Sequence, residues 1–313
     1  MDDQNAANDI PEITISDAVI QGNFEAFQRW LEIDPTIVNT EIIDPEISIP
    51  IHFFHVVVRH CPNVEFVALL VEHYGVDINT KNEDGWTSLH QAAIRNPHVE
   101  VIKYLLEHGA EINAKDVDGW IPLHLVTSNP NGEVLKYLVE KGADVNAKTN
   151  YGDTALLDLA KFSPHRTVLN VDVFESLVNH GAEADIKDRE GRTPLFYAAG
   201  DPKAGVEILK YLVDHGADVN VKDDGGWTPL YYAAMWQRDV EIFKYLVSVG
   251  ADVNAKSENG DTPLHEVAKY GHGMEVFKYL VSVGADVNAK NKDGDTPLDL
   301  LNRNTELSWK ACV

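Results

Sequence analysis

The residues best suited to chemistry stand near the start of the chain: His52, His55, His60, Cys61 and, farther on, His73. A structural zinc site needs four such ligands converging on one point. Here the types are right, but the positions have a plainer explanation. His52 falls inside a phrase that recurs along the chain, and His73, like His108, His180 and His215, stands near the expected C-terminus of a helix. There an imidazolium complements the helix dipole. Asp116-Val117-Asp118-Gly119 opens like a calcium loop, yet the twelfth position, where a bidentate Glu is required, is Thr127. No phosphate loop, dinucleotide fingerprint or nucleophile elbow occurs. The expectation is no catalytic residue, no metal and no cofactor. A metal-dependent activity in the N-terminal part is the rival that elemental analysis would decide.

The elements that carry these side chains are set by an internal repeat. Glycines at Gly85, Gly119, Gly152, Gly191, Gly226, Gly260 and Gly294 are spaced by 34, 33, 39, 35, 34 and 34 residues. Each is followed by a variant of one phrase, such as Thr87-Ser88-Leu89-His90, Thr193-Pro194-Leu195-Phe196, Thr228-Pro229-Leu230-Tyr231 or Thr262-Pro263-Leu264-His265. A second phrase closes most copies, as in Gly142-Ala143-Asp144-Val145-Asn146-Ala147-Lys148. Thr262 suits an N-cap, and Pro263 suits the first helical position, where a missing N–H costs nothing. Small pairs such as Ala92-Ala93, Ala198-Ala199 and Ala233-Ala234 allow close helix approach. Val276, Phe277, Leu280 and Val281 then line one face of an outer helix that Gly284 stops. The spacing and the phrase resemble the ankyrin repeat. That resemblance implies an all-α solenoid of helix-turn-helix repeats joined by short hairpin fingers.

Nine repeats are expected. Residues 1–15 form a flexible acidic N-terminus and 16–81 hold two divergent copies, with a finger at 42–47 that has no glycine tip. Residues 82–290 hold six regular copies, and 291–313 form a truncated C-terminal cap. The 39-residue gap places an insertion at 162–170.

The net charge of −24 comes from 26 basic and 50 acidic residues, and the first fifty residues hold eleven carboxylates against the single base Arg29. Such a surface repels phosphate backbones and anionic lipid, so the expected partner is neither nucleic acid nor membrane but a basic protein. With 44% apolar residues and no apolar run near the ~20 a membrane span needs, the chain reads as a folded, soluble monomer. Two cysteines, Cys61 and Cys312, are too few for a disulfide framework, and the opening Met1-Asp2-Asp3 is unlike a signal peptide. A cytoplasmic location is expected; a host-directed effector secreted without a cleavable signal is the alternative.

Stacked repeats align equivalent residues into columns. A lysine column (Lys81, Lys115, Lys148, Lys187, Lys222, Lys256, Lys290) beside an acidic one that includes Asp77, Asp144, Asp218, Asp252 and Asp286 reads as mutual ion pairs. The acids left over sit at the finger tips, Asp153, Asp224, Asp261 and Asp295 among them. Trp86, Trp120 and Trp227 directly follow a tip glycine, and Tyr151 precedes one. Phe162, Met235, Trp236 and Tyr270 occupy inner-helix positions that, by the resemblance, ankyrin proteins present to partners. Aromatic residues framed by charge are the usual anchors of protein interfaces. The candidate binding residues are therefore Trp86, Trp120, Tyr151, Phe162, Trp227, Met235, Trp236, Tyr270, Asp224 and Asp261.

Overall fold

The chain folds as paired helices. The computed structural model describes residues 11–44, 46–47, 50–129, 131–161, 171–270 and 274–310, with backbone alone for Pro50 and for 304–310. The insertion at 162–170 therefore lies outside the described residues, and so does the candidate Phe162. Helices follow as α1 (Ile15–Ile20), α2 (Phe24–Ile33), α3 (Phe53–His60), α4 (Glu65–Ala68), α5 (Ser88–Arg95), α6 (Val99–Glu107), α7 (Pro122–Leu125) and α8 (Gly132–Glu140). After them come α9 (Ala155–Ala160), α10 (Val171–Asn179), α11 (Pro194–Gly200), α12 (Val206–Asp214), α13 (Pro229–Trp236), α14 (Val240–Ser248), α15 (Pro263–Tyr270), α16 (Met274–Ser282) and α17 (Pro297–Lys310). Residues 1–150 and 151–313 form two compact modules.

Within each module, like packs on like. In the first, inner helix α3 packs on α5 and α5 on α7, while outer helix α6 packs on α8. In the second, α9, α11, α13, α15 and α17 follow one another as inner helices, and α10, α12, α14 and α16 as outer ones. The alanine pairs are fully buried at the inner seams, including Ala92, Ala93, Ala198, Ala199, Ala233 and Ala234. Their small volume is what lets the inner helices approach.

Fingers stack by backbone. Asp84, Asp118, Glu190, Gly225 and Asn259 each offer a carbonyl to an N–H of the next finger, on Val117, Asn150, Asp224, Glu258 and Lys292, at 2.7–3.0 Å. At Gly119 the φ is +81°, and an added Cβ would lie 2.9 Å from Asn150 Oδ1 and 3.0 Å from Asn150 N. Both the left-handed backbone and the neighbouring finger therefore demand glycine there.

The glycine-free finger is a small antiparallel hairpin, β1 (Glu41–Ile43) against β2 (Pro50–His52), with Ile42 opposite Ile51. Its turn is held by the fully buried Asp44, which accepts from the N–H groups of Glu46 and Ile47 and bonds His60 Nε2 at 2.9 Å. Glu46 reaches Arg59 Nη2 at 3.3 Å and Arg95 Nε at 3.6 Å. Beneath lies an aromatic core of Phe27, Phe53 and Phe66, with ring centroids 5.0–6.1 Å apart.

The inner-helix caps come in two forms, chosen by the third helical residue. Where that residue is not histidine, the Thr154, Thr193 and Thr228 hydroxyls accept from the N–H of Leu157, Phe196 and Tyr231 at 3.2–3.4 Å. Where it is histidine, the ring takes over. His90 Nδ1 accepts from the N–H of Thr87, and His265 Nδ1 from that of Thr262. The opposite nitrogen, Nε2, then donates to a carbonyl one repeat on: Trp120 for His90, Ala147 for His124 and Asp295 for His265, at 3.1–3.2 Å. Each ring thus rivets two repeats.

The same geometry corrects the expectation for His52. It is an N-cap, with Nδ1 accepting from the N–H of Phe54, and the rivet is His55, whose Nε2 lies 3.0 Å from the carbonyl of Thr80. The helix begins at Phe53, three residues later than an alignment on His52 requires.

Members of the lysine and acidic columns make backbone bonds. Lys81 and Lys222 donate to the carbonyls of Lys115 and Lys256. Asp77, Asp144, Asp218, Asp252 and Asp286 accept from the N–H two residues on, at 2.8–3.0 Å. Between repeats runs an amide ladder. Asn79, Asn220 and Asn254 each donate to the carbonyl of a helix-ending glycine (Gly109, Gly250, Gly284) and accept from the N–H of the next acid. Backbone groups that cannot be left unpaired favour this arrangement.

Candidate protein-binding surface

Of the residues that follow a tip glycine, Trp86, Arg192 and Asp261 reach the next finger. Trp86 is half-buried, rests on His90 and donates its indole N–H to Asp116 Oδ2 at 3.0 Å. Trp120 is half-buried against His124, ring centroids 5.7 Å apart. Both lie in the first module. In the second, Trp227 stacks on Tyr231 at 5.4 Å, and Arg192, which holds the same position one repeat earlier, bonds Asp223 Oδ2 at 3.1 Å. Asp261 holds that position in the next repeat and accepts from Asn291 Nδ2 at 2.7 Å. Asp153 and Asp295 are paired as well, with Lys161 and Arg303, so neither is uncompensated. Asp224 is exposed, its N–H spent on the Glu190 carbonyl.

Inner-helix aromatic residues make a different surface. Trp236, at the end of α13, is 53% exposed, and Met235 beside it is half-buried. Tyr270 ends α15 at 46% exposure with Lys269 Nζ 5.2 Å from its ring, and Tyr151 is 48% exposed with the Arg189 guanidinium 5.5 Å away.

Two tyrosines, unmarked in the sequence reading, complete the surface around Trp236. Tyr197 and Tyr232 occupy the fourth helical position of α11 and α13, their rings 6.3 Å apart and nearly perpendicular. Tyr232 in turn meets Trp236 at 6.5 Å and 62°. What makes room is Gly200: a Cβ there would lie 2.5 Å from the Tyr232 ring and 3.5 Å from Trp236 Cδ1. The available signal was a second aromatic directly after the third helical residue in two successive copies, Phe196-Tyr197 and Tyr231-Tyr232.

Charge is tightly held here. Tyr197 donates its hydroxyl to Asp188 Oδ2 at 2.6 Å, and Lys161 lies 3.5 Å from the same carboxylate. Burial and the Asp188 charge raise the Tyr197 phenol well above its ordinary range, and burial likewise raises Tyr232. Arg192 works against its own burial, but bonds to Tyr197 and Asp223 and the charge of Glu190, 2.6 Å away, keep it firmly protonated. The phenols are therefore neutral donors and the cations paired.

Cys61 is not prepared as a nucleophile. Burial pushes the Cys61 thiol up to about 12, and Asn96 Nδ2 contacts its sulfur at 3.7 Å. His55 faces the Thr80 carbonyl and His60 faces Asp44. Among the described residues no group of three or more His, Cys, Asp or Glu stands where it could hold a metal ion, and no helix is long and apolar enough to cross a membrane.

A family model for ankyrin repeats matches residues 15–116, 54–149, 165–257 and 239–306, most of the chain. The chain belongs to the ankyrin-repeat family. A similar solved structure is the ankyrin-repeat domain of Bcl-3, described as a unique member of the IkappaB protein family. It is 27% identical with a TM-score of 0.56, over 70% of this chain and 95% of that one. No curated protein matches. Ankyrin repeats are generally protein–protein interaction modules, and the chain's exposed candidates stand on its fingers and inner helices. Trp236, Met235 and Asp224 lie on those elements.

Proposed function

We propose that this protein is a non-catalytic interaction module (a scaffold, adaptor or inhibitor) that binds a folded, basic protein through the fingers and inner helices of residues 151–313. The observation that carries the reading is Trp236, a large ring left half in water beside a Tyr232 ring that only a glycine at 200 can admit. Exposed aromatic anchors of this kind are over-represented at interface hot spots. The charge of −24 supports a basic partner, since complementary potentials speed encounter and exclude wrong partners. The likeness to an IkappaB-family ankyrin domain supports the adaptor or inhibitor form of the reading.

The test is affinity capture from the native cell with the full chain and with Trp236→Ala, at low and moderate salt. A basic protein retained by the first and lost by the second is expected. Equal capture by both would place the binding surface elsewhere.

A further inference from the structure

Of the three exposed aromatic rings described in the second module, Tyr151 and Tyr270 are already served by cations of the same chain and Trp236 is not, while several half-buried rings are served as well. Arg189 lies over Tyr151, Lys161 over Tyr197, Lys269 over Tyr270, and Arg192 over both Trp227 and Tyr232, each 5.2–5.9 Å from the ring centroid. Among the described residues no lysine or arginine lies over Trp236, although it is 53% exposed and indole is the best cation–π acceptor among side chains. Its ring forms an open corner with Tyr232 at 62°. In the two fingers that open α11 and α13, Asp188, Glu190, Asp223 and Asp224 stand against Arg189 and Arg192, and beyond the other ends of those helices Asp201 and Asp239 match Lys203 and Arg238 in number.

We infer that the Trp236–Tyr232 corner is a socket for a guanidinium supplied in trans, an arginine side chain of the partner protein. This deepens the proposed function and rests on it. The chemistry favours arginine, whose flat, weakly hydrated cation stacks on an aromatic face, over lysine's compact and strongly hydrated ammonium. Arg192, 5.9 Å from the Tyr232 ring centroid, does not oppose entry, because Glu190 and Asp223 neutralise it at 2.6 and 3.1 Å. Gly200 is the positioning residue: with any side chain there, Tyr232 must leave its seat, and the corner it forms with Trp236 changes with it.

The experiment uses the full chain labelled with 5-fluorotryptophan, the Trp236 resonance being assigned by its loss in Trp236→Phe. A glycine–serine peptide with one central arginine is titrated against the same peptide carrying neutral citrulline. The arginine peptide is expected to shift the Trp236 resonance saturably, with citrulline at least ~5-fold weaker. Gly200→Ala should weaken the arginine response by a similar factor; because that variant can perturb folding, Tyr232→Leu, which removes one wall and leaves Gly200 intact, must do the same. Equal shifts from both peptides, or none at Trp236, overturn the socket. Partner capture separates this result from the broader reading. If Trp236→Ala loses the partner while arginine shifts nothing, the surface stands and the socket falls; if arginine binds while capture is unaffected, the socket stands and the surface falls.

Discussion

His55 Nε2 lies 3.0 Å from the carbonyl of Thr80, one repeat on, while its Nδ1 is buried without a partner. The carbonyl can only accept, so Nε2 carries the proton and the ring is neutral. Burial, the leading cause, lowers its pKa from 6.5 to about 4, with the Thr80 bond opposing. His90 is lowered in the same direction by burial.

The sign follows from linkage. Below pH ~6.5 the unfolded chain takes a proton that the folded ring refuses, so stability present at neutral pH is lost as pH falls from ~6.5 towards ~4. For His55 the full loss is on the order of 2–3 kcal/mol. Urea midpoints at pH 7 and pH 4.5 should show His55→Gln less stable than the native chain at pH 7. That gap should shrink by about 2 kcal/mol in acid. A gap unchanged between the two pH values would remove His55 as an acid-labile rivet.

Asp185 breaks the amide ladder. It occupies the asparagine position and accepts from the N–H of Asp218 at 3.2 Å, but a carboxylate cannot donate to the glycine carbonyl behind it. Burial, and the nearby Asp218 charge, raise its pKa, so holding that charge costs the folded state some stability. Asp185→Asn is expected to stabilise the fold by ~0.5–1 kcal/mol, the net worth of one exposed hydrogen bond. The gain should fade as pH drops through the Asp185 pKa, where the native residue no longer carries its charge. Thermal melts at pH 7 and pH 4 check this; a destabilised variant at pH 7 would refute it.

Thr228 accepts from the N–H of Tyr231 at 3.2 Å, with no imidazole to share the task. Thr228→Val should cost about 1 kcal/mol in urea unfolding. An unchanged midpoint would show that the hydroxyl caps nothing.

Partner binding should separate charge from aromatic burial. Asp224→Asn with Asp261→Asn is expected to slow association and flatten its salt dependence, since exposed charges steer encounter. Trp236→Ala should speed dissociation, by roughly 30-fold if it is a central anchor worth ~2 kcal/mol. Tyr104→Ala, on an outer helix where the hydroxyl bonds Glu72 at 2.9 Å, should cost stability and spare binding. Surface-bound kinetics at two salt concentrations read all three. Normal binding by the tryptophan variant, with loss in a folded Tyr104→Ala, would move the site to the outer helices.

Much of the architecture was legible because the repeat is written in backbone-determining residues. Gly294 does turn its finger at φ +84°, and Gly284 does end its helix at φ +102°. The register of the divergent copy was not legible: two histidines three apart, His52 and His55, both fit the phrase, and only the helix start at Phe53 separates them. Around Trp236, the exposed ring at the end of an inner helix was legible from its type and place. Its seat was not, since Gly200 earns its role only through the distance to a ring one repeat away.

The rivets differ in what they require of the repeat that follows. His55, His90, His124 and His265 each address a main-chain carbonyl, which any successor supplies. Tyr231, at the same helical position, spends its hydroxyl on the buried Glu266 carboxylate at 2.8 Å. A repeat that opens with a histidine rivet can be copied, shuffled or spliced before almost any neighbour. The two repeats joined by Tyr231 and Glu266 are an obligate couple and must be inherited together.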